Sequence, residues 1–439
     1  MRTLSALALL LFATVAALAQ DSGTRLALVR GEADKPFDAK GVIGDIRGCD
    51  YVYTYPDAAA PNSATLYRLD TDAAREVKAA GGGAIAFDNA DFFPDGDGLY
   101  VRTRSKGNES LWWVNGLVAA AVKSANDQQL SADTLTIAAA VNPHVLARGK
   151  DGMAIWRLEK GMAQLAMRKD AAFADQYEIT LFPGAQDLLL GLYDNTVVAP
   201  KVTLHQVAKG ELAAIKDPKG EPARATEYTS RVAGKTQYLS AINGRERQVF
   251  IAAGGKLQPL LLPTGKPVMT DLRFTQVFDD TLLLDLRDGE TNALWVVRGD
   301  SIETVKTIEG GMLKSPAFTT LPMRGRALIN AYDKDLNIAQ LWLFDGKAAV
   351  PLTGADGKQV SGKQPFMAWH DGKFLLRVKN AQSSEDEYFS GLQAKVTGPL
   401  LSDSGTTTTG MNLVLGRGRS LLYAIDMAGK TWRLLRPAP

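Results

Sequence analysis

Cysteine is nearly absent from this 439-residue chain: Cys49 stands alone, so no intramolecular disulfide can form. A chain of this length buries an adequate core without such staples. Histidine is scarce as well, and His144, His205 and His370 lie far apart in sequence. No zinc-type His-Glu-x-x-His, Gly-x-Ser-x-Gly elbow, Walker loop or dinucleotide fingerprint occurs, which removes the enzyme classes that carry a local signature. Enzymes that assemble a site from loops far apart in sequence are not removed by that test. Charge of one sign is also missing. The 50 basic and 48 acidic residues nearly cancel, and the basic ones are scattered singly. Nucleic-acid binding and polybasic membrane attachment have no support in that pattern.

Long apolar runs are confined to the N-terminus, MRTLSALALLLFATVAALAQ. Arg2 precedes an apolar core from Leu4 to Ala17, and Ala17-Leu18-Ala19 fits the small-x-small rule for signal peptidase. The run is short for a membrane span. We expect a signal peptide over residues 1–19, cleavage after Ala19, and a mature domain over 20–439 that is exported, periplasmic or secreted, and not inserted in a membrane. No cysteine follows the cleavage site to take a lipid anchor. A cysteine-poor exported chain suits a bacterial periplasm. Cys49, beside the apolar run of RGCDYVYTY, reads as a small buried residue, not a reactive thiol.

The abundant elements are turns. Forty-one glycines and 19 prolines are spread along the whole chain, as many short strands require. A recurring doublet orders them. It begins at Leu66 (LYRLDT), Leu111 (LWWVNG), Ile155 (IWRLEKG), Leu204 (LHQVAKG), Val249 (VFIAAGG), Leu294 (LWVVRGD), Leu341 (LWLFDGK), Tyr388 (YFSGLQAK) and Leu422 (LYAIDMAGK). The intervals are 45, 44, 49, 45, 45, 47, 47 and 34 residues. Each unit opens with a short apolar strand such as TLLLDLRD (281–288) or RALINAYD (326–333), turns, and runs through the doublet. A Gly turn then leads to a last strand such as SIETVKTI (301–308) or AAVPLT (348–353). With a preceding strand such as LRFTQVF (272–278), that is about four antiparallel strands per unit.

Four strands in roughly 45 residues is the signature of a β-propeller blade. The expected fold is all-β: a single propeller of four-stranded antiparallel blades. Nine doublets read at face value give nine blades; the degenerate unit near 388 moves the expectation to eight, within a range of seven to nine. Two smaller propellers or a β-sandwich array fit less well, because the spacing never breaks mid-chain. The aromatic second position (Tyr67, Trp112, Trp156, Phe250, Trp295, Trp342, Phe389, Tyr423) is where blade should pack on blade. The C-terminal unit looks one strand short, and TRLALVRGE (24–32) has no unit of its own, so the N-terminal strand is expected to close the ring.

The stretch ADFFPDGDGLYVRTRSKGNESLWWVNG (90–116) resembles the repeat of TolB-type periplasmic propellers, and DGETNALWVVRGD and LNIAQLWLFDGK resemble bacterial repeats of the E-L-W-V-S-D-G-T kind. The resemblance implies a blade type. It spans the repeat region only, since no counterpart of the N-terminal TolB domain is present, and the Tol–Pal role is not carried over.

Candidate residues are few. His205 occupies the aromatic slot of its doublet and reads as a packed side chain; His144 and His370 sit at turns that open strands. Trp369-His370-Asp371 marks a turn of the kind found at a propeller mouth, where a Trp stacks a sugar or an aromatic and a His donates to it. Trp369, His370, Arg102 and Arg104 are the binding candidates; no catalytic residue and no metal ligand is assigned. The Asp-rich turns at 88–98 and 332–337 read as ordinary turns in which Asp and Asn bond their own backbone, and the second has Ile338 and Gln340 where a calcium loop needs glycine and glutamate, so no cofactor is expected beyond weak calcium binding there. RGD at 298–300 reads as a hairpin turn. The function expected is a monomeric binding or scaffold module at the bacterial cell envelope, engaging a protein or a glycan. The alternative is a periplasmic hydrolase or lyase with its site in the central channel.

Overall fold

The computed structural model describes residues 26–31, 37–40, 42–46, 49–55, 63–70, 73–96, 98–124, 126–138, 143–182, 184, 188–198, 201–208, 210–272, 275–288, 290–323, 326–333, 337–354, 356–370, 373–379, 386–392, 395–397, 413–415, 422–426 and 431–437. The expected signal peptide, Thr24, Arg25 and Asp97 lie outside them.

The chain is all-β and is built from consecutive antiparallel meanders of four strands each. They span 42–76, 91–121, 134–169, 177–214, 227–259, 276–304, 318–351 and 361–397, and are called the first to eighth below. The seventh and eighth are joined into one sheet by pairing of Ala339–Phe344 with Ser361–His370. The unit near 388 therefore has its own four strands: Ser361–His370, Lys373–Lys379, Asp386–Leu392 and Lys395–Thr397. A terminal sheet holds Leu413–Leu415, Leu422–Asp426 and Thr431–Pro437. Its fourth strand is Leu26–Leu28, antiparallel to Thr431–Pro437, with Asp38–Lys40 pairing farther along the same strand.

In the eight meanders the doublet lies on the third strand, and an aromatic second residue packs toward the preceding sheet; the ninth doublet, Leu422-Tyr423, lies instead on the second strand of the terminal sheet. Trp112 joins a cluster shared by the first and second meanders (Leu66, Leu99, Val114), and Trp156 one shared by the second and third (Leu111, Val145). Phe250, Trp295, Trp342 and Phe389 do the same at the next seams. Tyr67 of the first meander packs with Val29 and Phe37, which flank the two N-terminal strands. The hydrophobic core is thus a series of seams between sheets, as expected when a single sheet cannot cover both of its own faces.

One expected strand divides. SIETVKTI yields Ser301–Thr304 in the sixth meander and Lys306–Thr307, which leaves it to pair in parallel with Ala348–Pro351 of the seventh. The division is a repeated device. Val122, Ile215, Leu260, Val305 and Leu352 each donate their N–H to the first doublet residue's carbonyl, at Leu111, Leu204, Val249, Leu294 and Leu341. The residue eight positions on (Leu130, Ala223, Val268, Leu313, Val360) donates back to the aliphatic residue and accepts from the doublet residue. Five positions into each hairpin the backbone is left-handed, at Asp127, Gly220, Gly265, Gly310 and Gly357, a turn that glycine adopts at least cost. Gly82 marks a sixth copy after Val77.

The hairpin is missing after the third meander. A six-residue helix, Ala171–Gln176, stands there, with Asp170 Oδ1 accepting from Phe173 N at 2.9 Å as its N-cap. Among the described residues no helix is long and apolar enough to cross a membrane.

Candidate functional site

The second-strand residue that faces the first doublet residue recurs in every meander: Tyr53, Arg102, Leu146, Gly191, Ser240, Asp285, Asn330 and Arg377. Three of its polar occupants bond the backbone of the next meander or the loop leading into it. Arg102 Nη1 donates to Leu135 O at 2.5 Å, and Ser240 Oγ to Thr270 O at 2.9 Å. The Asp285 carboxylate accepts from the Phe318 N–H and the Asn292 side chain, while desolvation pushes its carboxyl above the usual range. Asn330 donates to Thr319 Oγ1 at 2.7 Å within its own meander.

The richest cluster of this kind surrounds the two arginines singled out in sequence. Arg102 and Arg104 lie on Gly98–Ser105, and the tight turn at Lys106–Gly107 sets Arg104 directly across from Glu109 on Asn108–Asn115. Glu109 is buried, with only 1% of its side chain exposed. It accepts from Arg104 Nε at 2.8 Å and from Arg104 Nη2, and from the Leu135 N–H of the third meander at 2.5 Å; Arg102 Nη1 lies 3.7 Å from its second oxygen. Arg102 also pairs with Asp91, 3.1 Å from its Nε, and sits 5.8 Å over the Phe93 ring. Both the N–H and the C=O of Leu135 are therefore satisfied by side chains of the neighbouring meander. The two cations and two anions cancel. Arg104, 60% exposed, and Asp91, 54% exposed, keep faces toward solvent.

Glu109 was not singled out in sequence. The signal was local: R-T-R, a two-residue turn, then N-E-S places opposite charges face to face in a hairpin. A second polar group lies in the fifth meander, where Thr229 Oγ1 donates to Asp271 and Arg247 Nε stands 3.7 Å from the same carboxylate.

The remaining candidates separate. Trp369 and His370 end the strand Ser361–His370, opposite Phe374 and Lys373; their side chains, and Asp371, lie outside the described residues. His205 is half-buried with Nδ1 3.2 Å from Thr203 O, and burial holds its imidazole below the usual value. His144 is buried where its strand opens. Cys49 is buried, its thiol 3.5 Å from Ile46 O. Arg298–Asp300 forms a hairpin turn at Gly299, and Arg298 Nη2 donates to Gly346 O of the next meander. Among the described residues no group of three or more His, Cys, Asp or Glu side chains converges on one point. Asp333 instead accepts from the N–H groups of Asn337 and Ile338.

Buried tyrosines cross the seams as well. Tyr51 and Tyr238 donate to Gly116 O at 3.0 Å and Gly299 O at 2.8 Å, in turns of the following meander. Tyr100 holds the equivalent position beside the Lys160–Gly161 turn. Desolvation pushes both Tyr100 and Tyr238 up to about 12, and raises Tyr228 further. A raised phenol keeps its proton in the fold after it is lost in the unfolded chain. Stability is therefore full below pH 10 and falls as pH rises toward 12. Each of Tyr100 and Tyr238 should contribute a loss of about 2 kcal/mol by pH 12. Urea unfolding between pH 9 and 12 should show this decline, and Tyr238→Phe should reduce its slope by one proton.

No family model matches the chain, and no curated protein matches it in sequence. Solved structures do match. The β-propeller domain of the trilobed protease from Pyrococcus furiosus is 11% identical, with 81% of this chain and 95% of that one covered and a TM-score of 0.36. The WD40 domain of SCAP from fission yeast is 9% identical over 94% and 98%, with a TM-score of 0.34. The polysaccharide lyase Uly1 is 8% identical over 78% and 97%, with a TM-score of 0.31.

Proposed function

We propose that the protein is an exported β-propeller that works as a monomeric binding or scaffold module at the bacterial envelope, its partner a protein or a glycan. The ring has nine blades: the eight meanders plus the terminal sheet, closed by Leu26–Leu28. The seam clusters support one ring, since each meander shares apolar side chains with the next through the eighth, and Val29 and Phe37 tie the N-terminal strands back to the first. First strands of successive meanders also approach one another from Glu227–Ala233 through Leu413–Leu415, as strands nearest an axis would.

The observation that carries the binding reading is the chemistry of those first strands. Their exposed side chains include Thr134, Thr136, Thr180 and Thr319 with the acids Asp91, Glu178 and Glu227. Such a surface offers hydrogen bonds over a wide area without a paired nucleophile and base. Trp369 and His370, ending a first strand, and the solvent-facing side of Arg104 would supply stacking and charge at the ring ends. The test is a glycan array together with photo-crosslinking of the mature chain in periplasm, repeated with Trp369→Ala. A stable complex weakened at least tenfold by that substitution supports the reading. Turnover of a glycan or peptide without a retained complex overturns it in favour of a channel hydrolase or lyase.

A further inference from the structure

The outer edge of the fourth meander, like that of the sixth at Ser301–Thr304, has no strand paired to it among the described residues, whereas five counterparts are covered. In the first, second, third, fifth and seventh meanders, an aliphatic–basic pair from the preceding segment lies against the outermost strand or its leading residue. The pairs are Val29-Arg30, Val77-Lys78, Val122-Lys123, Ile215-Lys216 and Val305-Lys306. Their basic residues bridge in parallel to Ala73, Val118, Met162, Lys256 and Ala348. The aliphatic members are all buried. The bonds recur: Lys78, Lys123 and Lys216 N–H donate to Leu117, Gly161 and Gly255 O at 2.9, 3.1 and 2.9 Å. Ala80 and Ile308 N–H donate to Ala119 and Ala349 O at 2.9 and 3.1 Å, and Leu257 N–H donates to Lys216 O at 2.8 Å.

The fourth meander ends in Glu211–Ala214, and the segment ahead of it is the helix Ala171–Gln176, which packs on Gly152–Glu159 and Tyr177–Phe182. No strand among the described residues pairs with the outer side of Glu211–Ala214. By register, Ala208↔Glu211 corresponds to Asn115↔Val118 and Ala253↔Lys256. Glu211 thus stands where Ala73, Val118, Met162, Lys256 and Ala348 face the incoming basic residue, and its side chain is 80% exposed, 3.5 Å from Lys169 Nζ. The groups equivalent to the acceptors and donor used elsewhere are Gly210 O, Leu212 O and Leu212 N–H.

We propose that this edge is a docking site for an extended segment of a partner protein, running parallel to Glu211–Ala214 and carrying an aliphatic residue followed by lysine or arginine. The chain itself supplies the template for the occupant at five other edges, and Glu211 supplies the complementary charge. Strand addition of this kind draws affinity from main-chain hydrogen bonds and specificity from alternate side chains. The site lies at the outer edge, away from the first strands considered above.

The probe is a fluorescent peptide of residues 303–310, ETVKTIEG, titrated against the full mature chain by anisotropy. Saturable binding is expected, weakened at least tenfold by Glu211→Lys, by Leu212→Pro, and by a peptide N-methylated at the residue matching Ile308. The N-methyl peptide leaves the protein untouched, so a folding defect cannot imitate its effect. Absence of binding at millimolar peptide, or equal binding of the N-methyl peptide, overturns the proposal. So does a concentration-dependent dimer in sedimentation that Leu212→Pro abolishes, because the edge would then belong to a second copy.

Discussion

Replacing Glu109 by alanine is expected to cost about 3–5 kcal/mol of stability, the range for removing one partner from a buried ion pair. The carboxylate is nearly inaccessible, yet it accepts from Arg104, faces Arg102, and receives the Leu135 N–H at 2.5 Å. Without it the Leu135 N–H is orphaned inside a seam, and an unsatisfied buried donor alone costs about 1–3 kcal/mol. Arg102, 24% exposed, keeps Asp91 and Leu135 O but loses its buried counter-charge. Arg104 can turn to water, so its share of the loss is small. Glu109→Gln retains an acceptor for Leu135 and should cost roughly half as much. A double-mutant cycle with Arg102→Met should show coupling above about 1 kcal/mol, since the two side chains lie 3.7 Å apart and bond the N–H and C=O of the same residue, Leu135. Urea unfolding measures all three. A loss below about 1 kcal/mol for Glu109→Ala would mean that water replaces the carboxylate and that the cluster does not hold the seam.

The same cluster shows how far sequence carries. The 45-residue rhythm was legible because the doublet aromatic has one task in seven of the eight meanders, His205 being the exception: it fills the seam to the preceding sheet, and only large apolar rings do that well. TLLLDLRD forms a strand over the expected Thr281–Asp288 for the same reason: Leu282 and Leu284 face the fifth meander while Leu283 faces the seventh. The hairpin that follows six of the outer strands was not legible, although its period is also about 45. It is held by backbone bonds that demand only an aliphatic residue and, five residues on, one left-handed position. Val, Ile and Leu satisfy the first and even Asp127 satisfies the second, so side-chain identity drifts while geometry persists. SIETVKTI read as one strand because alternation says nothing about a change of sheet after Thr304. The helix at 171–176 is too short to display a period, leaving only its Asp cap as a mark. Arg102 and Arg104 were noticed for their charge, but their buried counterpart Glu109 was hidden because composition gives no sign of burial.

Deleting residues 24–32 is expected to destabilise the protein by about 4 kcal/mol or more and to release the C-terminal sheet first. Leu26–Leu28 pairs with Leu435–Pro437, and Arg30 O accepts the Ala74 N–H at 2.7 Å. Val29 is buried against Val52 and Ala74, and its carbonyl accepts the Phe37 N–H at 2.8 Å, holding Phe37 edge-on to Tyr67 with ring centroids 4.9 Å apart. Burial of a valine is worth about 2 kcal/mol, and each buried backbone group left unpaired adds about 1 kcal/mol or more. Asp38–Lys40 would still pair with Thr431–Arg433, so the terminal sheet would lose one end of its outer cover and not the whole of it. Hydrogen exchange should accordingly rise first at 434–437 and at Ala74, before any meander between 91 and 304 responds. Limited proteolysis should cut within 413–437 at concentrations that leave the parent intact. A synthetic peptide of residues 24–41 added in trans should restore protection, because the strand acts by pairing and not by its covalent link. An unchanged urea midpoint together with unchanged exchange at these positions would show that the sheets are held by their seams alone, and would remove the N-terminal strand from the ring closure proposed above.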